Sequence, residues 1–109
     1  NKDQLHEVLS CASVLEHIQY AGLALCFVGG IKANKYKKSE KIDELDGFIY
    51  LPNRQDEMPF AYIVEAKNYV HGENDAVKQL QGTKKYLSPN LEFSINPLTR
   101  CAYMEIKLK

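Results

Sequence analysis

The sequence contains no tryptophan, only three cysteines and three histidines, and no apolar run long enough to cross a membrane. The cysteines form no Cys-x-x-Cys pair and the histidines are equally scattered, so a zinc site is not expected. Widely spaced cysteines of odd number indicate reduced thiols in a cytoplasmic protein. The formal net charge is zero, so any binding of nucleic acid must come from a local basic patch, and no membrane partner is expected.

What is present fits one globular domain. The chain has 109 residues, of which 45% are hydrophobic and 26% are charged. This length allows one modest core and leaves no room for a second. We therefore expect residues 1–109 to form a single domain, which is compatible with a place in a longer protein.

The apolar pattern predicts two helices and four strands. The helices are predicted over 3–20 and 73–87, and the strands over 23–31, 43–51, 60–68 and 100–108. Two polar segments separate them: 32–41 is a loop or strand extension, and 88–97 is a loop with at most the start of a strand. The order α-β-β-β-α-β predicts an α/β fold with a mixed central sheet flanked by helices.

Two charged residues interrupt a strand that otherwise looks buried. In "AYIVEAKNY", residues 61–69, Glu65 and Lys67 share one face because strand side chains alternate. If 43–68 is a hairpin, Asp46 on the preceding strand lies at the same end of the sheet. The three side chains then form either a catalytic cluster or, in the simpler alternative, a surface ion pair with a neighbouring acid.

A fourth acid comes from the first helix. At about 100° per residue, Glu16 falls within the apolar arc of Leu5, Leu9 and Ala12, whereas Glu7 is predicted on the solvent side. A carboxylate on a buried stripe normally has a partner, because burying an unpaired charge is expensive. The alternative is that Glu16 lies near the frayed helix end and reaches water.

Acids that converge on a lysine suit metal-dependent phosphoryl chemistry. Carboxylate oxygens hold Mg²⁺, which keeps several waters and contacts substrate phosphate. The metal acidifies a bound water, and a nearby ammonium stabilises the transition state. An isolated Glu-x-Lys is a weak signal, because any exposed strand can contain one.

The ordered set of motifs resembles the PD-(D/E)XK nuclease superfamily, which has the restriction-endonuclease-like fold. The resemblance covers nearly the whole chain: a helix, strands with "LDG" at 45–47 and "VEAKN" at 64–68, then a helix with "QLQ" at 79–81. The chain departs from the name-giving pattern in having Leu45 where the proline would stand. This departure blurs the subfamily rather than the activity.

The resemblance implies a role for each matching residue. It makes Asp46, Glu65, the Ala66 carbonyl and Glu16 ligands of Mg²⁺ or Mn²⁺. It makes Asp46, Glu65, Lys67 and Gln79 catalytic residues. Gln79 is preferred only slightly to Gln81, because helical glutamines usually face solvent.

A lysine-rich segment precedes the predicted metal site. Residues 32–41 carry five lysines around Tyr36 against one acid, Glu40. The predicted nucleic-acid contacts are Lys32, Lys35, Tyr36, Lys37, Lys38 and Lys84. Phosphate contacts of this kind position a strand without reading its sequence; the simpler alternative is a solvated loop.

We therefore expect a Mg²⁺- or Mn²⁺-dependent nuclease that hydrolyses phosphodiester bonds, with DNA favoured over RNA as substrate. One alternative is a nuclease toxin or effector domain acting on tRNA or DNA, which would be secreted or delivered and would have an inhibitor protein. Another is a catalytically inactive nuclease fold used for binding. A homodimer is compatible with each of these.

Charge reversal tests the lysine-rich segment. Replacing Lys35, Lys37 and Lys38 with glutamate is expected to weaken nucleic-acid binding equally across sequences and to flatten its salt dependence, because fewer counterions are released on binding. Fluorescence anisotropy titrations at several salt concentrations measure both quantities. Unchanged affinity and an unchanged salt slope would identify the segment as a solvated loop.

Overall fold

Seven regular elements form where the apolar periodicity changes along the chain. The computed structural model describes residues 2–31, 45–52, 60–69, 71–84, 92–98 and 101–107. The elements are α1 (Lys2–His17), β1 (Leu25–Ile31), β2 (Leu45–Leu51), β3 (Phe60–Ala66), α2 (Gly72–Lys84), β4 (Glu92–Leu98) and β5 (Cys101–Lys107). Neither helix is long and apolar enough, over the residues described, to cross a membrane.

The strands form one five-stranded sheet in the order β1-β2-β3-β5-β4, and each neighbouring pair is antiparallel. The predicted α/β fold with helices packed on a sheet is therefore confirmed. The predicted mixed sheet is wrong for the described residues, because every neighbouring pair of strands is antiparallel. The prediction of one strand after α2 is also wrong: the chain forms β4 at the sheet edge and then returns as β5 beside β3. Pro97 is tolerated within β4 because β4 is an edge strand.

Alternation along the strands divides the core into two clusters, one on each face of the sheet. Beneath α1, Cys11 and Val14 pack on inward residues of β2, β3 and β5 such as Val64. Beneath α2, Ala76 and Leu80 pack on the other face of β3 and β5. We call these the α1 face and the α2 face of the sheet.

Helix α1 turns a different side to the sheet from the one predicted. Its buried residues are Ser10, Cys11 and Val14, whereas Leu5 is 60% and Leu9 is 58% exposed. The grouping of Glu16 with the leucine stripe is correct, but that stripe faces outward and Glu16 is exposed. The helix carries two apolar stripes, and the one with smaller side chains packs on the sheet.

Gly47 explains why small side chains are needed on that stripe. A Cβ atom at Gly47 would lie 2.5 Å from the Cys11 Sγ atom and 3.3 Å from the Val64 Cβ atom. Helix α1 therefore rests directly on the backbone of β2. The glycine of the "LDG" motif is what allows this approach.

Adding a methyl group at Gly47 should loosen the packing of α1. We expect Gly47→Ala to lower the free energy of unfolding by about 1–3 kcal/mol, the usual cost of overpacking a core. Gly82→Ala is the matched control, because among the described residues no atom apart from its chain neighbours and the helix's own backbone lies within 4 Å of a Cβ atom at that position. Alanine there should stabilise the protein by roughly 0.5–1 kcal/mol. Urea unfolding curves measure both changes, and equal effects would contradict the close approach at Gly47.

Candidate active site

A cavity opens where β2 and β3 stop pairing. Their ladder ends at Gly47 and Val64, although β2 begins at Leu45 and β3 continues to Ala66. The cavity has a volume of about 200 Å³. We call it the acidic cavity; it is lined by His6, Glu7, Asp46, Ala66, Lys67, Asn68 and Tyr69.

Asp46 occupies the gap between the diverging strands. Its Oδ2 atom accepts a hydrogen bond from the backbone N–H of Ala66 at 3.0 Å. The carboxylate thus replaces the ladder partner that this N–H lacks on the β2 side. Because the hydrogen bond fixes the side chain, the carboxylate is held at the cavity wall.

The carbonyl group of Lys67 is held by a side chain of α1. The His6 Nε2 atom lies 2.8 Å from the Lys67 carbonyl oxygen. A carbonyl oxygen only accepts hydrogen bonds, so the His6 Nε2 atom donates. The end of the Glu-x-Lys segment is thereby fixed by Asp46 at Ala66 and by His6 at Lys67.

Lys67 is held at the beginning of α2. A Cβ atom on the buried Gly72 would lie 2.5 Å from the Lys67 Cβ atom. The aliphatic stem of Lys67 is therefore packed against the start of α2. Lys67 is half-buried and lines the acidic cavity. At the rim, the Tyr69 hydroxyl donates to Asp75, which raises the pKa of Tyr69.

Glu7 supplies a second carboxylate to the acidic cavity. It was predicted on the solvent side of α1, and this prediction is wrong: the residue is half-buried and its Oε2 atom is shielded from water. The negative charges of Glu7 and Asp46 both act on the Cys11 thiol. Burial is the largest cause that raises the pKa of this thiol to about 12, followed by the other two thiols and then the two acids.

Glu65 does not line the acidic cavity. Only 1% of the residue is exposed, and both carboxylate oxygens are shielded from solvent. It pairs with Ala102 of β5 and shares the α2 face with Ile63. Asp46 and Glu65 therefore lie on adjacent strands as predicted, but the cavity contains Asp46 without the Glu65 side chain.

Other predicted site residues lie elsewhere. Gln79 is half-buried on α2 and is not a cavity residue; its carbonyl oxygen accepts a hydrogen bond from the Thr83 hydroxyl. The exposed Glu16 is also away from the cavity lining. The predicted nucleic-acid contacts Lys32, Lys35, Tyr36, Lys37 and Lys38 lie outside the described residues, as does the side chain of Lys84.

Sequence reasoning missed two cavity residues on α1, His6 and Glu7. A signal for Glu7 was present, because it precedes Ser10, Cys11 and Val14 at spacings of three, four and seven. These spacings place all four residues on one helical stripe. The larger leucines of the neighbouring stripe obscured this pattern.

Comparison with protein-family models, curated proteins and solved structures finds no significant match to this chain. The residues of the acidic cavity are therefore the basis for a functional assignment.

The three cysteines should differ sharply in reactivity. Cys11 and Cys101 are buried and Cys26 is exposed. Because the thiolate is the reactive form, burial and the raised pKa should protect Cys11 from a disulfide reagent at pH 8. We expect one rapidly modified thiol in the folded protein and three after unfolding. Cys26→Ser should remove the rapid phase, and a rapid phase that survives this change would contradict the packing described here.

Proposed function

We propose that this chain is a metal-dependent nuclease of the PD-(D/E)XK type. The observation that carries the proposal is the convergence of Asp46, Lys67 and Glu7 on one cavity at the divergence of two strands. The order helix, three antiparallel strands and helix supports a restriction-endonuclease-like core. In this proposal β4 is the strand of that core that runs parallel to β3. Strand β5 lies between β3 and β4 in the sheet.

The donor atoms of the cavity fit a hard dication that keeps much of its water. Within the described ranges, no group of three or more histidine, cysteine or acidic residues is arranged to hold a metal ion. Mg²⁺ does not require such a group, because one or two carboxylates together with water and substrate phosphate commonly hold it. Asp46 and Glu7 are the two carboxylates on the cavity wall, and both act on the same thiol.

We therefore assign Mg²⁺ or Mn²⁺ to Asp46 and Glu7, with the Ala66 carbonyl as a further oxygen donor. Glu7 takes the place of Glu16 as the acid from the first helix. A bound dication would supply an acidified water and neutralise charge on the phosphate. Glu65 stays a predicted ligand, and its burial beside the α2 face is the main departure from the expected arrangement.

The chain's own residues would then position and stabilise the reacting phosphate. The Ala66 N–H keeps the Asp46 carboxylate oriented, so little reorganisation is needed when substrate binds. Lys67 lines the same cavity, and its ammonium would stabilise negative charge on a phosphate oxygen in the transition state. His6 holds the Lys67 backbone and acts as a positioning residue.

Single substitutions distinguish the proposed roles. Lys67→Ala should reduce hydrolysis by about 10²–10³-fold, because one preorganised cation is lost from the transition state. Asp46→Ala should abolish both hydrolysis and metal binding. Glu7→Gln should weaken metal binding, whereas the isosteric control Glu16→Gln should not. Cleavage of plasmid, single-stranded DNA and tRNA is measured with Mg²⁺ or Mn²⁺ and with EDTA.

Thermal unfolding gives an independent measure of metal binding, since a ligand that binds only the folded state raises the melting temperature. The wild-type protein and Lys67→Ala should both show this shift, and Asp46→Ala should not. A wild-type melting temperature indifferent to saturating metal, together with no cleavage of any substrate, would overturn the proposal. The same cleavage assays also test the toxin alternative. That alternative requires cleavage of tRNA or DNA that is harmful to a cell.

The burial of Glu65 favours one second candidate, a nuclease fold that binds nucleic acid without cutting it. A cavity with fewer carboxylates would bind a dication weakly. This candidate predicts nucleic-acid binding that is equal with metal and with EDTA, and no hydrolysis. Glu65→Gln separates the two: loss of cleavage at unchanged stability supports a catalytic role for Glu65, whereas a lower melting temperature alone supports a structural role.

A further inference from the structure

An exposed aromatic ring stands at the rim of the acidic cavity. Tyr69 lines this cavity together with Asp46 and Lys67, yet 46% of the residue is exposed to solvent. Among the described residues that line the cavity, it is the only tyrosine or phenylalanine. No step of the proposed hydrolysis uses this ring, so its place beside the reacting groups requires its own explanation.

Contacts at both ends of the residue hold Tyr69 in place. Its hydroxyl donates a hydrogen bond to Asp75 in the first turn of α2. Its carbonyl oxygen accepts a hydrogen bond from the Gly72 N–H at 2.9 Å. Its Cε2 atom lies 3.4 Å from the position that a Cβ atom on Gly72 would occupy. The ring is therefore restrained at its tip and at its edge although it lies at the surface.

Gly72 brings the Tyr69 ring next to the stem of Lys67. The Lys67 Cγ atom and the Tyr69 Cε2 atom each lie 3.4 Å from the same Cβ position on Gly72. These two atoms are therefore separated by at most twice that distance. Lys67 is the residue proposed to stabilise charge on the phosphate that is cut. The base that adjoins this phosphate would accordingly lie within reach of the Tyr69 ring.

The hydroxyl group of Tyr69 is committed to Asp75, which leaves the ring as the part that is available to a substrate. The hydrogen bond to Asp75 is the largest cause that raises the pKa of Tyr69, so the phenol stays protonated in neutral solution. A protonated phenol that already donates its proton to a carboxylate is not activated as a nucleophile or as a general base.

We propose that the Tyr69 ring binds substrate by stacking on the base next to the phosphate that is cut. The inference rests on the proposed nuclease function and specifies its substrate class, a nucleic acid with an unpaired base at the cleavage site. Every base offers a flat face to an aromatic ring, whereas the bases of a duplex are already stacked on one another. Because the ring is restrained beforehand, little conformational freedom is lost when a base stacks on it.

Strands with and without bases test stacking separately from hydrolysis. Labelled single strands of DNA and RNA, and abasic strands with the same number of phosphates, are titrated in EDTA, which prevents cleavage. The wild-type protein should prefer at least one strand with bases to its abasic counterpart. Tyr69→Ala should reduce this preference by about five-fold or more, the effect of losing one stacked base. If Tyr69 only anchors α2, the melting temperature should fall and the preference should not change.

Further variants separate the ring from the hydroxyl. Tyr69→Phe keeps the ring and should retain most of the preference, whereas Tyr69→Leu should lose it as alanine does. Phe27→Ala is the matched control, because it removes a ring that is 53% exposed and lies outside the cavity lining. Melting curves show whether each variant is folded, and Tyr69→Leu remains informative if alanine prevents folding.

The absence of tryptophan from the chain allows a direct optical test. Tyr69→Trp introduces a single indole at the rim of the cavity. Its fluorescence should be quenched by the strand with bases and much less by the abasic strand, because a base stacked on an indole quenches its emission. Phe27→Trp carries the same reporter on β1 and should respond to neither strand.

The outcomes distinguish this inference from the proposed function. A preference for bases that depends on the Tyr69 ring, without any hydrolysis under Mg²⁺ or Mn²⁺, supports the stacking role and contradicts the nuclease. Hydrolysis together with a preference that Tyr69→Ala leaves unchanged overturns the stacking role alone. A wild-type protein that binds strands with and without bases equally, or binds neither, also overturns it.

Discussion

The direct contact between α1 and the backbone of β2 at Gly47 determines the geometry of the rest of the structure. With no side chain at Gly47, the Cys11 Sγ atom occupies the space where a Cβ atom would be. Glu7 lies one turn before Cys11 on the same stripe, so this approach also brings Glu7 to the cavity beside Asp46. A helix held away by one more side chain would leave both His6 and Glu7 short of the strand ends. The close packing and the candidate chemistry therefore have one cause.

The end of the β2–β3 ladder is the second determinant, because it turns backbone hydrogen-bonding groups into positioning groups. In a continued sheet, the Ala66 N–H and the Lys67 carbonyl would be satisfied by a neighbouring strand. Here Asp46 and His6 satisfy them instead. The side chains fix the backbone and are fixed by it, so the cavity is preorganised without any ligand. The two acids help to keep the buried Cys11 thiol protonated, because their negative charges disfavour the thiolate.

Four of the five described strands and the order of the helices were predictable, because each of these elements has a clear local pattern bounded by turn residues. The face of α1 was not, because two neighbouring apolar stripes compete and the choice depends on a glycine far away in sequence. Strand β4 falls in the polar segment 88–97 that was predicted as a loop, and its place at the sheet edge makes Pro97 acceptable within a strand. At the site, the sequence placed Asp46 and Lys67 together correctly. Of the two helix acids, Glu7 lines the cavity and the predicted ligand Glu16 does not, and the Glu65 side chain does not line it either.

Strand β2 connects the acidic cavity with both faces of the sheet. Asp46, Gly47 and Phe48 are consecutive: Asp46 lines the acidic cavity, Gly47 lies beneath helix α1, and Phe48 packs against the cluster beneath α2. Alternation accounts for Gly47 and Phe48, because consecutive side chains point to opposite faces of the sheet. Asp46 reaches the cavity because the β2–β3 ladder ends at Gly47 and Val64, which leaves its carboxylate beyond the last strand pair. A one-residue slip in the register of β2 would exchange the glycine with a larger side chain beneath α1 and move the aromatic ring away from Phe27. The register that lets the helix approach is thus the same one that leaves Asp46 beyond the end of the ladder, where its carboxylate accepts from the Ala66 N–H and lines the acidic cavity.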